Sequence, residues 1–218
     1  LVGAAALTSG CAHIIFVGGV NRDIFLRSLC VMAVMLFFTA TGARSGNMTL
    51  AVNALFMQLY LLYSHFMDGF AYAGEALVGK YAGAADKHSL RRCVSHLFAW
   101  GWSLAAIFAF AYGVFNHEVM SLFSDKPEVV AFAAAYRWWI AIAPIAGMAA
   151  FIWDGVFVGL TATRQMLLSL AGATAVYFTI YFLFPLADAN DCLWTAFLAY
   201  LAVRGVILWL CFARKNEY

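Results

Sequence analysis

Charge is what this chain has least of. Asp, Glu, Lys and Arg make up only 11% of its 218 residues, whereas a water-soluble domain carries roughly 25%. A water-facing surface cannot be covered at that density, so the outer face must meet lipid. The net charge of +2 is too small to point to nucleic acid, and no basic stretch is interleaved with aromatics. No C-x-x-C pair exists: Cys11, Cys30, Cys93, Cys192 and Cys211 are scattered and odd in number. They read as small hydrophobes rather than a disulfide framework. His88, Cys93 and His96 come nearest to a ligand cluster, but their spacing matches no zinc pattern, so no metal is expected. There is no G-x-S-x-G, no H-E-x-x-H and no ATP-binding signature. Ser64 and His65 are adjacent, so they point to different helix faces, and an intramembrane hydrolase is disfavoured.

What remains is apolar: 65% hydrophobic residues and a mean hydropathy of +0.85. A bilayer-spanning helix needs about 20 mostly apolar residues, and six stretches qualify: 26–46, 48–79, 93–115, 129–160, 165–187 and 192–212. The expectation is an all-α polytopic membrane protein, a bundle of six transmembrane helices. The second and fourth spans are long enough to tilt, bend or protrude, and Pro144 favours a kink in the fourth. Turn-like breaks are expected at Ser45-Gly46-Asn47, Gly83–Ser89, Asn116–Pro127, Thr161–Thr163 and Ala187–Asp191. Leu1–Val20 holds no Lys, Arg, Asp or Glu and lacks the basic start of a signal peptide. Residues 1–20 therefore read as the end of a preceding membrane segment plus a connector, 21–213 as the bundle, and 214–218 as a tail. The sequence is expected to be a piece of a longer chain.

Lysine and arginine concentrate in cytoplasmic loops. Alternate span ends carry Arg22, Arg27, Lys80, Lys87, Arg91, Arg92, Arg164, Arg214 and Lys215, nine in all, against three (Arg44, Lys126 and Arg137) on the other side. Both ends of the chain are expected in the cytoplasm. Trp100, Trp102, Trp138, Trp139 and Trp194, near span ends, fit either interfacial anchoring or ordinary packing.

The second span carries the polar signal. At about 100° per residue, Gln58, His65, Asp68, Tyr72 and Glu75 fall within an arc of about 100°. Lipid cannot satisfy such a stripe, so it must turn toward other helices or a wet cavity. At ~1.5 Å per residue, Asp68 sits about 17 Å and Glu75 about 6 Å from Gly79. Asp68 is either a proton carrier or the ionised partner of an arginine, with Arg204 in the sixth span the obvious one and Arg137 nearer the opposite face. Glu75 can reach interfacial water or Lys80. His65 is either a packing residue or a proton relay, and Gln58 and Tyr72 bond either other helices or substrate. Asp154 repeats the theme on the fourth span, where Ile152–Gly155, like Phe66–Gly69, ends in Asp-Gly, a hint of an internal repeat. Asp154 is open to structural pairing or to function. Gly155 and Gly159 form a G-x-x-x-G, read as a close helix approach.

MDGFAYAGEALVGKYAGAAD at 67–86 resembles the eighth span and following loop of MATE (multidrug and toxic compound extrusion) transporters, especially their DinF-like branch. NRDIFLRSL at 21–29, DGVFVGLTATRQM at 154–166 and LWTAFLAYLAVRG at 193–205 fall in the expected order, so the likeness covers about 21–213. It implies a twelve-helix architecture of two six-helix lobes, of which this chain is the C-terminal one and its missing N-terminal lobe the partner. It also implies a secondary transporter of the bacterial inner membrane rather than an enzyme, without cofactor. Such a protein exports small amphiphilic or cationic substrates in exchange for protons or sodium ions. Asp68, Glu75 and Asp154 match the DinF-like pattern. NorM-type relatives carry a carboxylate earlier in the tenth span, and the corresponding Pro144–Ala150 here reads PIAGMAA, without one. Met57, Tyr60, Met67 and Tyr72 are candidate inner-face positions for apolar cargo, and helix packing accounts for them equally well. A flippase for lipid-linked saccharides of the same plan is the alternative; it needs a more cationic cavity than Arg137 and Arg204 provide.

Overall fold

The computed structural model describes residues 2–183 and 188–214, with side chains from Arg22 onward. The end of the expected fifth span, Ala187 in the turn after it, the side chain of Cys11 and the tail from Lys215 lie outside the described residues. Seven helices follow one another: α1 (Val2–Arg44), α2 (Asn47–Gly83), α3 (Lys87–Val114), α4 (Asn116–Phe123), α5 (Pro127–Gly159), α6 (Thr163–Leu183) and α7 (Ala189–Arg214). Among the described residues, six are long and apolar enough to cross a membrane: the Arg22–Arg44 part of α1, then α2, α3, α5, α6 and α7. The chain is a multi-pass membrane protein, as composition required.

Two differences from the sequence reading are plain. α1 is continuous from Val2, so its apolar part begins before position 26. The expected break at Asn116–Pro127 contains α4, an eight-residue helix that buries Asn116 and Met120. Its polar residues are turn-formers by composition, and tertiary burial of Met120 overrides them.

α5 is the axis of the bundle. In its apolar segment 78% is buried, against 17% to 44% in the other five spans. A helix apolar on every side belongs in a core, and α5 packs against α2, α3 and α7 while α6 lies on α7 and α1. The helix is uninterrupted through Pro144, whose carbonyl accepts a hydrogen bond from the Tyr63 hydroxyl at 2.9 Å. Tyr112 likewise reaches from α3 to the Leu59 carbonyl of α2 at 2.8 Å. Trp194 is fully buried rather than interfacial, its indole donating to Asn53 at 2.9 Å. Trp100, Trp102 and Trp138 stay exposed on the outer face.

α2 and α5 stop in the same way. Each passes its last helical glycine into an αR residue and then into a left-handed one, Ala85 at φ 53° and Thr161 at φ 54°. The closing bonds correspond too: Asp86 N–H to Tyr81 O at 3.0 Å and Ala162 N–H to Phe157 O at 2.9 Å. This is the six-to-one closure that satisfies orphan carbonyls at a helix end. The closures fall 17 residues after Asp68 and 7 after Asp154, so they do not align the two Asp-Gly steps.

Candidate transport cleft

Close contact between α2 and α5 sets the site. A Cβ added at Gly155 would lie 2.2 Å from the Ala71 carbonyl oxygen, and one at Gly159 would lie 2.7 Å from the Glu75 carbonyl oxygen. Only glycine allows the two backbones to touch there. The G-x-x-x-G thus fixes the register that brings Asp154 of α5 beside Asp68 and Glu75 of α2. The two Asp-Gly steps are not equivalent, because Gly69 has open space where its Cβ would be.

The resulting cavity of about 460 Å³ is walled by α1, α2, α5 and α7. Asp68, Tyr72 and Glu75 line one side, Asp154 and Phe151 the floor, and Arg27, Tyr200 and Arg204 the other side. At its heart one carboxylate serves two guanidiniums: Asp154 Oδ2 accepts from Arg27 Nη2 at 2.5 Å and from Arg204 Nη2. The side chains of Arg204 and Asp154 are 9% and 13% exposed, so this is a desolvated charge cluster with a net positive charge. Burying such groups is tolerable only when they are paired.

The partner expected for Asp68 is therefore taken. Arg204 pairs with Asp154, because α7 packs against α5. Among the described residues Asp68 has no ion-pair partner; it is half-buried and opens into the cavity. Glu75 is exposed on the same wall and also lines a second cavity of about 400 Å³ toward Asp23, Thr161 and Thr163. Arg27 and Val158 are shared by both cavities, so the two form neighbouring parts of one cleft.

Other positions singled out from sequence fall elsewhere. Gln58 and His65 are exposed and outside the lining, and the His65 ring donates from Nδ1 to the Leu61 carbonyl at 2.6 Å. Arg137 lies in a separate groove between α3 and α5, its guanidinium 5.0 Å from the Trp138 ring centre. Tyr60 and Tyr72 do line the cleft, whereas Met67 is fully buried in the core and Met57 does not reach it. Arg27 is the residue sequence reasoning missed as a site member. At a span end it reads as a topology-setting charge, yet one helical turn past Asp23 it lines the cavity and pairs with Asp154.

With this geometry in hand, the likeness to known proteins is specific. Residues 24–184 match the MatE family. The chain is 33% identical over 188 residues to DNA damage-inducible protein F of Escherichia coli (strain K12), covering 86% of this chain and 41% of that protein. It is 23% identical over 180 residues to Protein DETOXIFICATION 43 of Arabidopsis thaliana, covering 83% of this chain and 34% of the relative. The chain thus spans less than half the length of these curated relatives. Among solved structures, an outward-facing multidrug resistance MATE family transporter of the MOP superfamily superposes with a TM-score of 0.74 at 14% identity. That match covers 91% of this chain and 45% of the solved one, and it establishes the fold.

Proposed function

Because this chain belongs to the MatE family, we propose that it forms the C-terminal lobe of a twelve-helix, cation-coupled exporter of amphiphilic or cationic toxins. Its partner is the N-terminal lobe of the same protein, and substrate passes between the two. Residues 21–213 are the lobe, with 1–20 leading in from the preceding segment. The excess of Lys and Arg at alternate span ends supports a reading with both ends of the chain on the cytoplasmic side of a bacterial inner membrane.

The observation that carries this reading is the division of labour in the cleft. Asp154 is held between Arg27 and Arg204, whereas Asp68 faces the cavity without a cation of its own. With every carboxylate ionised, two guanidiniums oppose three carboxylates (Asp68, Glu75 and Asp154), leaving one negative charge that attracts an organic cation. A proton or sodium ion at Asp68 cancels it and weakens cation binding. The coupling ion and substrate then exclude one another, as exchange requires. Tyr60, Tyr72 and Phe151 offer apolar and aromatic surface for varied cargo. The same three carboxylates oppose a pyrophosphate, which disfavours the saccharide flippase.

The test uses the full-length transporter in vesicles carrying an imposed proton or sodium gradient. Asp68→Asn is expected to lower gradient-driven efflux of a cationic dye at least tenfold at equal membrane abundance. Unchanged efflux with an unchanged pH profile would remove Asp68 from the coupling step. Accumulated lipid intermediates with normal dye efflux in a deletion strain would favour the flippase instead.

A further inference from the structure

On the opposite side of α2 from the cleft lies a second, unrelated groove of about 490 Å³, formed with α3. At about 100° per residue, Phe70 and Leu77 point some 180° away from Asp68 and Glu75. Exposed Trp100 belongs to the same outer face, so the groove opens away from the cleft. Its polarity is graded along the helix axis. Ser89 and Arg92 stand near the helix ends with Leu77 level with Arg92 on the facing helix, His96 lies one turn deeper, and Phe70 and Trp100 continue inward. From Arg92 to Trp100 is about 12 Å at ~1.5 Å per residue, close to the depth of one leaflet of a ~30 Å hydrocarbon core. No carboxylate lines the groove. The nearest acid, Asp86, is engaged with the Ser89 amide at 3.0 Å. Lys80, Lys87 and Arg91 add positive charge at the same end.

A cationic, hydrogen-bonding head above an apolar slot, turned toward lipid, has the chemistry of an amphiphilic anion. We propose that this groove holds one anionic phospholipid, its phosphate at Ser89, Arg92 and His96 and an acyl chain along Leu77, Phe70 and Trp100. The bound lipid braces α2 from behind, on the helix that carries Asp68 on its other face.

Native mass spectrometry of the full-length transporter in mild detergent tests this, with phosphatidylglycerol and phosphatidylcholine of identical chains as the probes. One phosphatidylglycerol is expected to bind at a concentration at least tenfold below phosphatidylcholine. The double variant Arg92→Gln/His96→Gln is expected to weaken phosphatidylglycerol binding at least tenfold. Ala73→Trp, which fills the slot beyond Arg92 and His96 without touching charge, is expected to abolish retention of that one lipid. Lys80→Gln/Lys87→Gln, at the same end but outside the groove, is expected to change binding less than threefold. Equal retention of the two lipids, wild-type binding in either groove variant, or an equal loss in the lysine variant overturns the proposal. So does displacement of the lipid by millimolar inorganic phosphate, which would make the site one for the free anion.

Discussion

Around Asn53 the buried polar groups make neutral donor–acceptor contacts, while around Asp154 they carry full charge. At the first place the Trp194 indole donates to Asn53 Oδ1 at 2.9 Å, and Asn53 Nδ2 donates to Asn190 Oδ1 at 2.7 Å. Nearby, the Tyr136 hydroxyl meets Asp188 at 3.0 Å and the Trp139 indole meets Asp191 at 2.9 Å. These bonds tie α2, α5 and α7 together through neutral donors, with no cation among them. At the second place α1, α5 and α7 meet through Arg27, Asp154 and Arg204, beside the unpaired Asp68. The first arrangement joins the helices through neutral donors, whereas the second sets two guanidiniums against one carboxylate.

The contrast is broken most directly at Asp154. Asp154→Ala strands two guanidiniums in a desolvated cluster, a change expected to cost about 3–5 kcal/mol. The readout is the thermal midpoint of the full-length protein in detergent. Asp154→Leu combined with Arg204→Met and Arg27→Met is expected to recover most of that loss, since apolar side chains then replace the whole ion triad. A loss smaller than that from Asn53→Ala would mean the cluster is not desolvated. Asn53→Ala itself leaves the Trp194 N–H and the Asn190 carbonyl oxygen without their partner, at a cost of about 1–3 kcal/mol. It is expected to leave the pH profile of efflux unmoved, because no titrating group is involved. A shifted profile would dissolve the distinction between the two ends.

How much of this was legible in sequence depends on the range of the physics involved. The six spans were, because hydrophobic length is a local property that lipid enforces. A close approach at Gly155 and Gly159 was too, since small residues at that spacing admit a neighbouring backbone, but that the neighbour is α2 was not. α4 was not, because Asn116, His117 and Glu118 carry turn signals and only tertiary burial of Met120 selects the helix. The partner of Arg204 was misjudged, since which carboxylate it meets depends on which helices are neighbours, and sequence does not give that order. The polar stripe was right in its centre and wrong at its rim. Gln58 and His65 lie roughly 60–80° round the helix from Asp68 by the 3.6-residue period, just far enough to leave the cleft. Arg27 was hidden by the charge-counting rule that correctly marked its side of the membrane.

The smallest expected effect sharpens the comparison by moving the same side chain into water. Asp86 caps α3, its carboxylate accepting from the Ser89 amide at 3.0 Å, and it is fully exposed. The hydrogen bonds from Ser89 hold its carboxyl below the usual aspartate range, the ordinary effect of bonding to the charged form. Because the folded value is the lower one, the stabilisation is fully present above the unfolded value of about 3.9. It is lost as pH falls through the folded value. Hydrogen exchange of amides 88–91 in the wild type is therefore expected to stay slow at neutral pH and to quicken, relative to the intrinsic rate, only below about pH 4. In Asp86→Ala the same amides are expected to exchange faster at neutral pH, with the rest of α3 unchanged. Equal protection in wild type and Asp86→Ala at neutral pH would show that the cap contributes nothing. Asp154, by contrast, pairs with one buried cation, Arg204, and one partly buried cation, Arg27, so its loss is expected to disturb three helices rather than one helix turn.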